Sequence, residues 1–307
     1  MRVFRSFDDA KGLRNPVVTT GSFDGVHIGH KTIINRLRML AGKYEGESVL
    51  ITFHPHPRKV LYPDTAGKEL RLINSQEEKL MLLEKAGVDN VIIVEFTREF
   101  SKITSEQFVR DYLAGKLQAK VIVAGFNHHF GFNQEGDYKQ LWGWREKYNF
   151  DAEEIPEQEV QHESVSSTRI RKAISEGYIQ RANAYLDHYY LVMGYPVKYD
   201  QVSDQTDLDF YRVPVTDENK LLPSDGVYAV SVEKDPEAVK GMAVIIPGTE
   251  NRQDLLLHIP SGEKITQGET VSLFFHKKIT GPVDIADRFK ATSKLKSSLQ
   301  EISELIY

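Results

Sequence analysis

The chain has 307 residues, of which 40% are apolar and 27% charged, with a formal net charge of −5 and no cysteine. That length accommodates two domains with separate cores, while the missing cysteines exclude disulfides, thiolate metal sites and a thiol nucleophile. The acidic balance argues against broad nucleic-acid binding, and no apolar run has signal-peptide or bilayer-spanning length, so a cytoplasmic protein without nucleic-acid or membrane partners is expected.

Pro16-Val17-Val18-Thr19-Thr20 reads as a buried strand, and Ile33, Ile34, Leu37, Leu40 and Ala41 fall at helical spacing. Between them lies Gly21-Ser22-Phe23-Asp24-Gly25-Val26-His27-Ile28-Gly29-His30, a strand-to-helix turn. Free N–H groups and the positive dipole end can receive an anion there. Gly21, Gly25 and Gly29 permit close backbone approach, and His27 and His30 add donors. The stretch points to the triphosphate site of a nucleotidyl transferase.

Ser48–Phe53 is the next strand, ended by His54-Pro55-His56-Pro57, which cannot continue a ladder. Asn74-Ser75-Gln76-Glu77-Glu78 opens a capped helix with Leu80, Leu83 and Ala86 along one face and Gly87 as its stop. Strand Asn90–Phe96, a helix over Thr104–Leu113, strand Val121–Gly125, an irregular loop to Asp137, a helix carrying Leu141, Trp142 and Trp144, and a weaker strand at Phe150–Ile155 follow. Apolar strands alternating with helices predict an α/β fold with a doubly wound, mostly parallel sheet. Ligands bind beyond the carboxyl ends of such strands, so the loops 21–30, 53–57 and 125–137 and the segment 165–171 are expected to converge.

Ser164–Arg171 opens a helix whose first turn is rich in hydroxyls and guanidinium groups. Ser166-Ser167-Thr168 alone would read as an N-cap, but a cap does not explain Arg169 and Arg171, whose forks suit phosphate oxygens. His128-His129 could be a metal pair, yet adjacent residues rarely chelate one ion. From about Leu191 short alternating segments appear at 210–215, 226–232, 241–246, 254–259 and 271–275, as in a small antiparallel barrel or sandwich. A closing helix runs from about Ala291 with Leu295, Leu299, Ile302 and Ile306.

Gly21–His30 looks like the HxGH signature of the nucleotidyltransferase superfamily. Together with Thr52-Phe53-His54-Pro55-His56-Pro57 and Val165–Arg171 it resembles the adenylyltransferase half of bacterial bifunctional riboflavin kinase/FAD synthetases, over about residues 15–190. Gly125, Asn127, Phe130 and Gly131 match that family's flavin-contacting loop, with His128 where an aromatic Phe is usual. The resemblance implies a Rossmann-like domain over 1–188, a kinase-like β-barrel with a terminal helix over 189–307, and the reaction of FMN with ATP to give FAD and pyrophosphate, with Mg2+ brought by the ATP phosphates. It implies His27, His30 and Arg171 as catalytic, and Gly21, Ser22, Phe23, Asp24, His27, Gly29, His30, Ser167, Thr168 and Arg171 as the ATP site. Phe53, His56, Pro57, Asn127 and Phe130 would line the FMN surface, and Asp24 is a candidate for orientation or metal placement. A homo-oligomer is left open.

The kinase family carries a G-R-x-L-G-x-P-T-A-N stretch soon after the equivalent of Gly194. Here Lys198–Asp207 has no glycine, no Pro-Thr-Ala-Asn and a surplus of carboxylates. Around His258 the acids nearest in sequence, Asp254 and Glu263, stand at the wrong spacing for that family's general-base glutamate. The expectation is an FMN adenylyltransferase whose barrel has lost kinase activity; the alternative is a bifunctional enzyme with a divergent kinase site.

Overall fold

The computed structural model describes residues 1–126, 128–156, 159–160, 163–200, 208–215, 217–233, 238–248, 252–259, 268–284 and 287–305. Expectations at Asn127, within 201–207, at Glu263 and at Ile306 lie outside the described residues. Contacts group the chain into two compact units, Met1–Leu70 with Lys79–Val165, and Arg71–Glu78 with Ser166–Tyr307.

The first unit is built on a six-stranded parallel sheet of β1 (Arg2–Phe4), β2 (Val17–Thr20), β3 (Ser48–His54), β4 (Asn90–Glu95), β5 (Val121–Gly125) and β6 (Asp151–Ile155). Its order is β1-β4-β3-β2-β5-β6, with every pairing parallel. The central strands are buried along most of their length because both faces are covered. Val17, Val121 and Val123 pack with Leu37, Leu40 and Ala41 of α1 (Ile28–Lys43). Val18, Val49 and Ile122 pack on the other side with Phe108, Val109 and Leu113. Those three residues belong to a π-helix over Phe108–Lys116 that continues a short α-turn, Ser105–Gln107. Thr104 and Gln107 form a reciprocal capping box at its start. The short helix α2 (Pro57–Leu61) follows β3, and α3 (Gln76–Lys85) precedes β4. The helix α4 (Tyr138–Tyr148) lies between β5 and β6. Strand order reverses between β2 and β5, which is the crevice where open α/β sheets bind ligands. Two short strands, β7 (Glu159–Val160) and β8 (Glu163–Ser164), pair antiparallel near the end of this unit.

The stripe expected on α3 is displaced. Leu83 is buried as expected, but its buried companions are Glu78, Lys79 and Leu82 rather than Leu80 and Ala86. The helix turns charged groups inward because each finds a polar partner there.

In the second unit, α5 (Ser167–Ser175) and α6 (Ile179–Leu186) lead into a seven-stranded antiparallel sheet. Its strands are β9 (Tyr190–Gly194), β10 (Val197–Lys198), β11 (Tyr211–Arg212), β12 (Gly226–Glu233), β13 (Ala238–Pro247), β14 (Gln253–His258) and β15 (Val271–Thr280). The order is β10-β11-β14-β13-β12-β15-β9. The two outermost strands are joined by only Tyr195-Pro196, so the sheet must roll until its edges approach. Register shifts between β12 and β15 sharpen that curl. The closing helix, α7 (Arg288–Glu304), starts three residues before the expected Ala291 and buries Ala291, Leu295 and Ile302 against Val227, Ala229 and Met242. On the opposite face Tyr190, Phe275 and Tyr228 form an aromatic cluster, with centroids 5.7 and 5.6 Å apart.

A buried ion pair organises this unit. Lys220 Nζ lies 2.6 Å from Glu78 Oε2 and donates also to the carbonyls of Ile73 and Leu191, with the Tyr190 ring 4.4 Å away. Glu78 accepts from the backbone N–H groups of Ser75 and Met193. The Ser75 hydroxyl accepts from Glu78 N in return, completing the box expected at the helix start. Lys220→Met should lower unfolding free energy by about 3–5 kcal/mol, because it strands a buried carboxylate; urea titration would measure it.

Burial depresses the pKa values of three imidazoles, His30 and His128 in the first unit and His276 in the second. The pKa values of His128, beside His129, and of His276 fall from 6.5 to about 4. Unfolding frees these rings to take protons, so their contribution is intact above pH 6.5 and is lost as pH falls from 6.5 towards 4. Denaturant midpoints should drop across that interval, and less steeply in His128→Phe.

Candidate active site

The expected loops after β2, β3 and β5 emerge at the same edge of the parallel sheet. The turn after β2 is tightly made. Gly21 N donates to Ile51 O at 3.0 Å, and a Cβ on Gly21 would meet the Phe23 ring at 3.1 Å. Gly25 has φ 96°, which glycine tolerates, but Phe23 and Val26 also take left-handed values of 48° and 41°. Such conformations are costly, most of all for a β-branched residue, and persist only where the surroundings impose them. Here both side chains are buried. The Ser22 carbonyl accepts from Thr52 Oγ1 at 3.1 Å and from Lys79 Nζ at 3.2 Å, pinning the middle of the turn.

The turn delivers the chain to α1, whose N-cap is His27 with extended backbone and no side-chain cap. No acidic residue stands in the first turn. The sixteen-residue helix thus starts with no side-chain cap from His27 and no acid within its first turn to offset the positive end of its dipole. His27 is buried and its ring stacks on His30 at 3.6 Å, with Phe23 4.8 Å from His30 on another side. Gly29 permits this stacking, since a Cβ there would stand 3.3 Å from the His27 ring. Desolvation, reinforced by His27 and Lys79, holds His30 well below the usual histidine range. Among the described residues, His30 Nδ1 has no hydrogen-bond partner within the protein. Asp24 is buried in the same turn and its charge acts on Lys79.

At the end of β3, Phe53 packs edge-on to Phe96 at 5.5 Å and against Phe100 at 6.0 Å. His56 caps α2 by accepting from Arg58 N, with Pro57 as its first residue. After β5, Phe130 forms a reciprocal bridge with Gly136 and sets its ring 6.2 Å from Phe108 and 5.8 Å from His128. Phe130 is therefore an anchor of the loop, while Phe126 and Phe132 are the exposed aromatics beside it. Asn127 lies outside the described residues.

Ser167, Thr168 and Arg171 belong to the second unit, at the start of α5. Ser166 caps that helix by accepting from Arg169 N at 3.4 Å, and its first turn carries no acid. Ile170, Ala173 and Ile174 form the buried stripe, so Thr168 and Arg169 stand on the exposed side.

Sequence reasoning passed over Thr52 and Lys79, the two groups that hold Ser22. The signal was available for Lys79: a lysine sits one turn before Leu82 and Leu83, inside an apolar stripe.

Residues 9–169 match the FAD synthetase family. A bifunctional riboflavin kinase/FMN adenylyltransferase of Listeria monocytogenes is 32% identical over 267 residues, covering 87% of this chain and 81% of that protein. One from Escherichia coli is 28% identical over 92% of this chain and 89% of its own length. A crystal structure of a Streptococcus pneumoniae protein described as a macrolide-efflux protein aligns over 99% of both chains with TM-score 0.87 at 24% identity, a likeness of fold alone. The HxGH turn, the parallel sheet and these matches agree: the chain belongs to the FAD synthetase family, that of the bacterial riboflavin kinase/FMN adenylyltransferases.

Proposed function

We propose that the protein transfers AMP from ATP to FMN, giving FAD and pyrophosphate, in the cytoplasm, and that its barrel does not phosphorylate riboflavin. The observation that carries the first part is the uncapped start of α1, with His27 and His30 stacked beside it, at the strand-order reversal of a FAD synthetase sheet. The adenylyltransferase portion in this reading is 1–188 and the kinase-like portion 189–307, a division by motif rather than by packing.

An oxygen of the FMN phosphate attacks the α-phosphorus of ATP. The bond to the bridging oxygen breaks, and pyrophosphate leaves with the electron pair. The attacking group is already an anion, so no strong base is required; the demand is alignment and compensation of charge. The N–H groups of the first turn of α1 and the ring nitrogens of His27 and His30 hold phosphate oxygens. By the motif, Ser167, Thr168 and Arg171 take the β- and γ-phosphates, with Gly21, Ser22, Phe23 and Gly29 shaping the turn around the nucleotide. Phe53, His56, Pro57, Asn127 and Phe130 belong to the flavin surface in the same reading.

Among the described residues, no three histidine, aspartate or glutamate side chains group to cage a metal ion. The turn offers one carboxylate, Asp24, which suits Mg2+, a cation usually held by one or two carboxylates plus substrate phosphates. When bound with ATP, the ion offsets the negative charge of the triphosphate.

Loss of kinase activity rests on the missing glycine-rich Pro-Thr-Ala-Asn stretch and on β14. Asp254, the acid preceding His258, is engaged with Arg212 at 2.6 Å, and the leucines 255–257 between them are buried. The curated relatives named above are bifunctional, so the competing reading is retention of both activities.

Incubation with Mg-ATP and either FMN or riboflavin, read by chromatography, tests both parts. FAD should form from FMN, and neither FMN nor FAD from riboflavin; a product from riboflavin would overturn the loss of kinase. His30→Ala and Arg171→Ala should each lower kcat/KM for FMN by on the order of 10²-fold with the fold retained by circular dichroism. Near-normal turnover in both variants would refute these roles.

A further inference from the structure

Lys79 is a buried ammonium for which the fold alone gives no sufficient reason. Its Nζ donates to Ser22 O and to Thr52 Oγ1, both at 3.2 Å, which occupies two of its three hydrogens. Among the described residues no carboxylate lies within ion-pair distance of it. Burial lowers its pKa to about 8, and the more distant Asp24 acts in the opposite sense, so at neutral pH the group is still largely a cation. Lys220 in the second unit shows the contrast, since its buried ammonium rests directly on Glu78. A neutral donor would tie down the Ser22 carbonyl without the desolvation cost of a charge. A buried cation whose counter-charge, Asp24, acts only from beyond ion-pair distance is answered more fully when a ligand brings further negative charge to the turn.

We propose that Lys79 is a positioning residue of the triphosphate site: it holds the Ser22 carbonyl so that the turn delivers His27 and His30 to the start of α1, and its charge favours the polyphosphate bound there. This deepens the adenylyltransferase reading and rests on it for the nature of the anion. Three observations agree. Lys79 and Thr52 grip the one carbonyl lying between Gly21 and the left-handed Phe23. The field of Lys79 reaches His30 and helps keep that ring uncharged. Asp24, whose charge supports Lys79, belongs to the same turn.

Inorganic tripolyphosphate, titrated calorimetrically into the full-length protein, tests this without a flavin acceptor. Lys79→Gln retains a donor for Ser22 but no charge; Lys79→Met retains neither. Binding should weaken about tenfold in Lys79→Gln, the size of one charge-assisted contact, and further in Lys79→Met. FMN binding, read by flavin fluorescence, should change by less than about twofold in Lys79→Gln, which separates a phosphate effect from general loosening. If Lys79→Met fails to fold, Lys79→Gln decides alone. Wild-type affinity for tripolyphosphate in Lys79→Gln, equal weakening of FMN binding, or no tripolyphosphate binding by the unmodified protein would each overturn the proposal. Tripolyphosphate binding that depends on Lys79, without FAD formation by the unmodified protein, would instead sink the FMN acceptor reading and leave the role of Lys79 standing.

Discussion

The first unit depends on one constraint: the chain must pass from β2 to α1 within residues 21–27 and reach a helix start with no side-chain cap and no acid in its first turn. A shorter turn could not reverse direction, and an ordinary acidic or hydroxyl cap would fill the site with an internal ligand. The solution places Phe23, Gly25 and Val26 in left-handed conformations. For the two non-glycine residues that is a cost of roughly 1–3 kcal/mol each. Burial of both side chains offsets the cost, and so do the bonds from Gly21 N to Ile51 O and from Thr52 and Lys79 to Ser22 O. The neighbouring strand β3 therefore contributes to the site mainly as the wall that keeps the turn in shape.

The second unit solves a related problem by the opposite means. Glu78 and Lys220 are both fully enclosed, yet each polar atom is answered from nearby: Ile73 O, Leu191 O, Ser75 N and Met193 N complete the set. Low dielectric makes such a network valuable only when it is complete. It ties β9 and the segment around Lys220 to residues 71–78, far away in sequence.

Much of this was legible in the residues, for reasons that also explain what was not. Strands β2, β3, β4 and β5 announce themselves because sheets covered on both faces favour apolar, largely β-branched runs such as Val91–Val94 and Val121–Ala124. The Ser75–Glu78 box is visible as a spacing. The inward face of α3 is not, because periodicity counts a charge as solvent-facing, and the partners that admit Glu78 and Lys79 come from remote parts of the chain. The same limit applies to Phe130: its place in a flavin-loop pattern says nothing of Phe108, whose ring it meets. Nor does composition reveal that Ser105–Lys116 changes from α to π winding, or that the three-residue β1 finds an edge beside β4. At the site, the glycine and histidine spacing marks the turn, while the groups enforcing its geometry come from β3 and α3.

The electrostatics of the turn follow from these placements. Two histidines beside the proposed triphosphate site invite a reading as paired cations, but rings stacked at 3.6 Å cannot both carry charge at modest cost. Desolvation, with His27 and Lys79, favours the neutral form of His30, and in the proposed site the ring serves as an uncharged hydrogen-bonding group. In the proposed site the positive potential comes from the dipole end of α1 and from Lys79, which donates to the Ser22 carbonyl behind the turn. Under the proposed function, a chain with a net charge of −5 binds a polyphosphate through a local, shape-dependent field that appears only once the turn is folded. In the proposed site, selectivity for an anion rests on the backbone geometry of Gly21–His30, which is held by Ile51, Thr52 and Lys79.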